Sequence, residues 1–142
     1  MTSRDQILGN APDPDLQVIV RSEGVLQLFQ AEVVNNTTER ISRSFSVLPF
    51  RKFLLYLSIL STSTPTDLRV KVQFLNPVTG RWHTYKQGPF ASLYYEDQDT
   101  ATRQDEAFSG DCAGREIRIT LTGGGTTSSA YFTVNAHLEL YS

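Results

Sequence analysis

The closing stretch Tyr131–Leu140, YFTVNAHLEL, sets the strictest condition on the fold. Phe132, Val134, Ala136, Leu138 and Leu140 alternate with Thr133, Asn135, His137 and Glu139. An extended strand puts the first set on one face and the second on the other. A slip of one residue would turn the whole apolar set outward, so the register is specified as well as the strand. Leu68, Val70, Val72 and Phe74 repeat the pattern against Arg69, Lys71 and Gln73, and Ile117, Ile119 and Leu121 repeat it against Arg118 and Thr120. Each such side chain, fully buried, contributes about 1.5–3 kcal/mol.

The rest of the chain reads in the same way. Phe53–Leu60 is apolar on both faces, which predicts a strand that is central or covered by a neighbouring subunit. Ser61–Thr66 reads as a loop. Asn76–Gly80 reads as a tight turn, with Trp82–Tyr85 returning as the hairpin partner. Val25–Val34 fits helix or strand by spacing, but its β-branched ends and the following Asn35–Thr38 turn favour a strand or hairpin. In Arg40–Val47, Ile41, Arg43, Phe45 and Val47 face one way and Ser42, Ser44 and Ser46 the other, with Pro49 closing the unit. Leu16–Val20 reads as a short strand before a Glu23-Gly24 turn, and Phe90–Tyr95 as another strand. Residues 96–111 carry Glu96, Asp97, Asp99, Asp105, Glu106 and Asp111 and read as one long acidic loop. Gly123-Gly124-Gly125 is expected to supply positive φ angles for a turn.

About eight to ten strands at turn spacings of 8–12 residues, with no convincing helix, predict an all-β, antiparallel β-sandwich over residues 16–142. Residues 1–15 read as an extended arm, punctuated by Pro12 and Pro14 and carrying the apolar pair Ile7 and Leu8. A net charge of -2 and a pI near 5.6 give no electrostatic case for nucleic-acid binding. The longest apolar run is too short to cross a membrane as a helix, and the N-terminus has no secretory h-region. Cys112 stands alone, which excludes an intramolecular disulfide and a multi-thiolate metal site and suits synthesis in a reducing cytosol.

Little in the chain can do chemistry. His83 and His137 have no nucleophile motif beside them, and Ser109-Gly110-Asp111-Cys112 matches none. The glycines at 123–125 precede a strand with no following Lys-Ser/Thr, so they do not make a phosphate loop. The acidic stretch 96–111 reads first as a solvated loop, with calcium binding or paired catalytic acids as lesser alternatives. Trp82, Tyr85, Tyr94, Tyr95 and Tyr131 fall at strand ends or on outward faces, where rings pack over their own sheet, stack on sugars or anchor a partner.

Residues 52–141 resemble small β-sandwich proteins of tailed-bacteriophage virions. The resemblance rests on Ser63-Thr64-Pro65-Thr66-Asp67-Leu68, Val70–Gln73, Gly80–Tyr85, Arg115–Thr120 and Gly125–Ser129, in that order. Ser92–Asp111 departs from the pattern, being longer and more acidic, and residues 1–45 find no counterpart. The resemblance implies a jelly-roll-like, non-enzymatic virion component without a cofactor. A head decoration or cement protein is the first expectation, and a neck or tail component the runner-up. Its partners would be the major capsid protein or other virion proteins, its state a homo-oligomer such as a trimer, and its location the virion after synthesis in the host cytoplasm. The expected interface combines Ile7, Leu8, Pro12 and Pro14 of the arm with Trp82, Tyr94 and Tyr95. The rival expectation is a carbohydrate-binding module that uses Trp82, Tyr94 and Tyr95 as platforms.

Overall fold

The three apolar alternations at 68–74, 117–121 and 132–140 all become strands. In a computed structural model, which describes residues 25–62, 67–96 and 103–142, the closing alternation forms β10 (Phe132–Tyr141), with all five inward side chains 0–1% exposed. Leu68, Val70, Val72 and Phe74 are buried from β5 (Asp67–Asn76), and Ile117, Ile119 and Leu121 from β9 (Glu116–Gly124). The doubly apolar segment is β4 (Lys52–Ser61), and it is central: β10 pairs along one side and β8 (Arg103–Asp111) along the other. The arm with Ile7, Leu8, Pro12 and Pro14, the Leu16–Val20 strand, the Glu23-Gly24 turn and most of the Ser61–Thr66 loop lie outside the described residues.

Two antiparallel sheets pack as a sandwich around one core. One sheet has the order β1-β10-β4-β8, with β1 spanning Val25–Val34. In the other, β9 and β5 run side by side in the middle. The short strands β2 (Arg40–Ile41) and β3 (Phe45–Ser46) flank β9. The short strands β6 (Arg81–Thr84) and β7 (Leu93–Glu96) flank β5. Taking β2 with β3, and β6 with β7, as two interrupted strands leaves eight, ordered 1-8-3-6 and 2-7-4-5. That is the double Greek key of a jelly roll.

Four sequence expectations need correction. Ile41 (52% exposed) and Arg43 are exposed while Val47 is buried, so the residues expected on one face do not share it, and Ser42 is buried. The strand breaks between β2 and β3 because the Ser42 hydroxyl accepts from the Ile119 N–H (2.9 Å) and donates to the Arg43 carbonyl (2.7 Å), replacing a ladder contact. The acidic stretch is no continuous loop: Arg103–Asp111 is the edge strand β8, whose carboxylates alternate between the two faces of the sheet. Asp97 and Asp99 lie outside the described residues. Among the three glycines only Gly125 has positive φ (67°). Gly123 and Gly124 belong to β9, and a Cβ on Gly123 would fall 2.8 Å from Val34 Cγ1. Phe90–Tyr95 also divides, into a 3-10 turn (Gly88–Ala91) and β7.

Strand β1 carries an irregularity that matters for the surface above it. Its register shifts between Phe29 and Glu32, and Ala31 there adopts φ 48°. The side chain of Asn135 on β10 reaches across and accepts from the Ala31 N–H at 2.8 Å, which ties the bulge to the outer face of the four-stranded sheet.

Candidate functional site

The outer face of the four-stranded sheet gathers the most polar chemistry. Pairing puts His137 beside Tyr56 and Tyr56 beside Ala107 in one row, and Asn135, Ser58 and Asp105 in the next. Directly opposed residues share a face about 4.5–5.5 Å apart, so these six side chains form a continuous patch. Ala107 contributes only a methyl between longer neighbours. The result is an open depression of about 340 Å³ lined by Tyr56, Ser58, Asp105, Ala107 and His137.

Two hydrogen bonds fix the patch. The Ser58 hydroxyl donates to Asp105 Oδ1 at 2.5 Å, and the Tyr56 hydroxyl donates to Glu139 Oε1 at 3.2 Å. The Tyr56 ring is 37% exposed and held by its own tip. Partial burial, then the bond to Glu139, pushes the phenol above its ordinary pKa, so it remains a neutral donor.

The outer face of the six-stranded sheet is of a different kind. Trp82 lies opposite Leu75 on β5, and Tyr94 opposite Arg69. Six residues of β5 separate the two rings, about 20 Å at strand rise. Each ring carries a cation: the Arg118 guanidinium sits 4.2 Å from the Trp82 centroid, and that of Arg69 5.5 Å from the Tyr94 centroid. Arg118 Nε also donates to Gln73 Oε1 at 3.0 Å, which locks it over the indole.

The three aromatic residues expected to form a platform therefore do not meet. Trp82 is half-buried under Arg118, and Tyr94 is exposed at the other end of the sheet. Tyr95 is 6% exposed in the core, because it follows Tyr94 in the strand and must point the opposite way. Its hydroxyl donates to Glu106 Oε1 at 2.5 Å. Only His137 was visible as an outward position in the sequence; Tyr56 and Ser58 fall in the segment read as apolar on both faces. Their meeting with Asp105 depends on the pairing of β4 with β8, across a separation of 47 residues.

His83 and His137 belong to different sheets. Burial and then the Asp111 charge push the Cys112 thiol up to about 11, away from a nucleophilic thiolate. Among the described residues no group of three or more His, Cys, Asp or Glu side chains is placed to hold a metal ion.

No family model matches the chain, and no curated protein is similar to it. Solved structures show distant likeness. One is a crystal structure of dimeric latent PorU from Porphyromonas gingivalis, at 8% identity and a TM-score of 0.47, covering 85% of this chain and 12% of that one. Another is a family 16 carbohydrate binding module-2, at 11% identity and a TM-score of 0.42, covering 75% of this chain and 73% of that one. This chain thus spans about an eighth of the PorU chain's length. The molecule stands as a β-sandwich domain.

Proposed function

We propose that this chain is a non-catalytic glycan-binding domain and that the outer face of the four-stranded sheet does the binding. One observation carries the reading: an exposed ring, Tyr56, opens onto the same depression as Ser58, Asp105 and His137. A sugar presents an apolar C–H face and a rim of hydroxyls. The ring suits the first, and the carboxylate, imidazole and hydroxyl suit the second. The bonds Ser58–Asp105 and Tyr56–Glu139 hold these groups before a ligand arrives, which lowers the ordering cost of binding.

A glycan array followed by calorimetry on any hit tests it. The expected result is a hit whose affinity falls at least about tenfold in Tyr56→Ala and in Asp105→Asn, a loss of about 1.4 kcal/mol. A blank array, or full affinity in both variants, would overturn it.

A second reading is a virion decoration or cement protein bound to the major capsid protein, with a neck or tail component as its variant. It is supported by the resemblance of residues 52–141 to phage virion sandwiches. The matched residues Val70–Gln73, Gly80–Tyr85 and Arg115–Thr120 fall on β5, the β5–β6 hairpin and β9. Those elements build the scaffold, so that support is fold-level analogy. Mixing the protein with undecorated capsids at near-physiological salt tests it. Capsid binding together with a blank glycan array would favour this reading over the first.

A further inference from the structure

The flank of β5 is interrupted between β6 and β7. Residues 85–92 leave the sheet there, through a 3-10 turn, and return as β7. The gap makes a notch of about 320 Å³ lined by Arg69, Lys71, Thr84, Lys86, Ser92 and Tyr94. Among the described residues of that lining three side chains are cationic and none is acidic. Arg69 and Lys71 are two apart on one face of β5, about 7 Å along the strand. Among the described residues none of Arg69, Lys71 and Lys86 joins an ion pair with a carboxylate. The whole chain carries a net charge of -2, so the cluster is a local reversal of sign rather than part of a general positive field.

We propose that this notch is a binding site for an acidic polysaccharide, distinct from the depression around Tyr56 and independent of the reading given to it. The cations supply the charge complement. The 43% exposed Tyr94 ring, with Arg69 over it, offers a surface for a pyranose C–H face. The hydroxyls of Thr84 and Ser92 lie beside the cations for sugar oxygens. An acidic peptide would use the cations and leave the ring idle. A nucleic acid would need a longer basic track than three side chains give.

Binding of the full chain to dextran sulfate and to neutral dextran, by affinity electrophoresis at about 50 and 200 mM salt, tests the proposal. The expected result is retardation by dextran sulfate alone, weaker at the higher salt. The Lys71→Gln/Lys86→Gln double variant should lose at least about tenfold in affinity at an unchanged melting temperature, both side chains being exposed. Lys52→Gln removes a lysine from the opposite sheet, where it pairs with Asp111, and should bind like the parent. Equal retardation of the parent and the double variant would overturn the site. Competition by polyglutamate or by oligothymidylate as effective as by dextran sulfate would overturn the ligand class.

Discussion

Gly110 has no room for a side chain. It faces Phe53 across the β4–β8 pair, and a Cβ there would fall 2.5 Å from Phe53 Cζ and 3.1 Å from Phe90 Cε2. Phe53 cannot give way easily, since it is fully buried and its ring lies 5.3–5.9 Å from those of Phe74, Tyr85 and Phe90. Gly110→Ala is therefore expected to cost about 1–3 kcal/mol in chemical denaturation. Adding Phe53→Leu should recover part of that loss, so the two changes together should cost less than their sum. Two residues on, Cys112 makes a second case at this scale. With its thiol pushed up to about 11 from an ordinary 9.0, the thiolate fraction at neutral pH is about a hundredfold below that of a free cysteine. Alkylation by iodoacetamide at pH 8 should be correspondingly slow in the folded chain and reach the free-cysteine rate in denaturant.

Among the elements, the β2–β3 break turns on one hydroxyl. Ser42 is the acceptor for the Ile119 N–H, in a buried position, so Ser42→Ala would leave that donor without its partner. The expected loss is about 1–3 kcal/mol, read as a lower urea midpoint with an unchanged slope. The same residue shows where sequence reading stops. β5, β9 and β10 were legible because each buries an unbroken apolar alternation. Around Ser42 the alternation of serines with larger residues points the wrong way, because a serine that satisfies a backbone group replaces an apolar side chain in the core. β8 was illegible for a related reason: its inward positions are Gln104, Glu106, Phe108 and Gly110, and an edge strand at the rim has little apolar surface to cover. Its charges, and the bulge in β1, also blunt, against pairing with another chain, the two edges that the described strands of that sheet present. The site was legible only in part. The outward position of His137 follows from strand parity, whereas Tyr56 lay in a segment read as apolar on both faces and Tyr95 was expected outward beside Tyr94. Which outward residues meet follows from pairing between distant strands, which no local pattern encodes.

At the scale of the molecule, the bond between Tyr95 and Glu106 ties the two sheets together at their rim. Tyr95 comes from β7 of the six-stranded sheet and Glu106 from β8 of the four-stranded one. Burial first, then the hydrogen bond and charge of Glu106, hold the phenol protonated well above its ordinary pKa of 10.0. The folded chain therefore keeps a proton that the unfolded chain releases near pH 10. The stability from this group is complete below that pH and is lost as pH rises beyond it, at up to about 1.4 kcal/mol per pH unit. Cys112 and Tyr56 are shifted in the same direction, so their contributions fade likewise, from about pH 9 for the thiol. The melting temperature is expected to be steady from neutral pH to about 9 and then to fall. Tyr95→Phe should be less stable at neutral pH, by about 1.5–3 kcal/mol for the lost bond to a charged acceptor, read as a lower melting temperature. Its alkaline decline should be shallower than the parent's, because the Tyr95 proton is no longer there to lose. If the parent and Tyr95→Phe curves fall in parallel above pH 10, the rim bond does not couple the two sheets in this way.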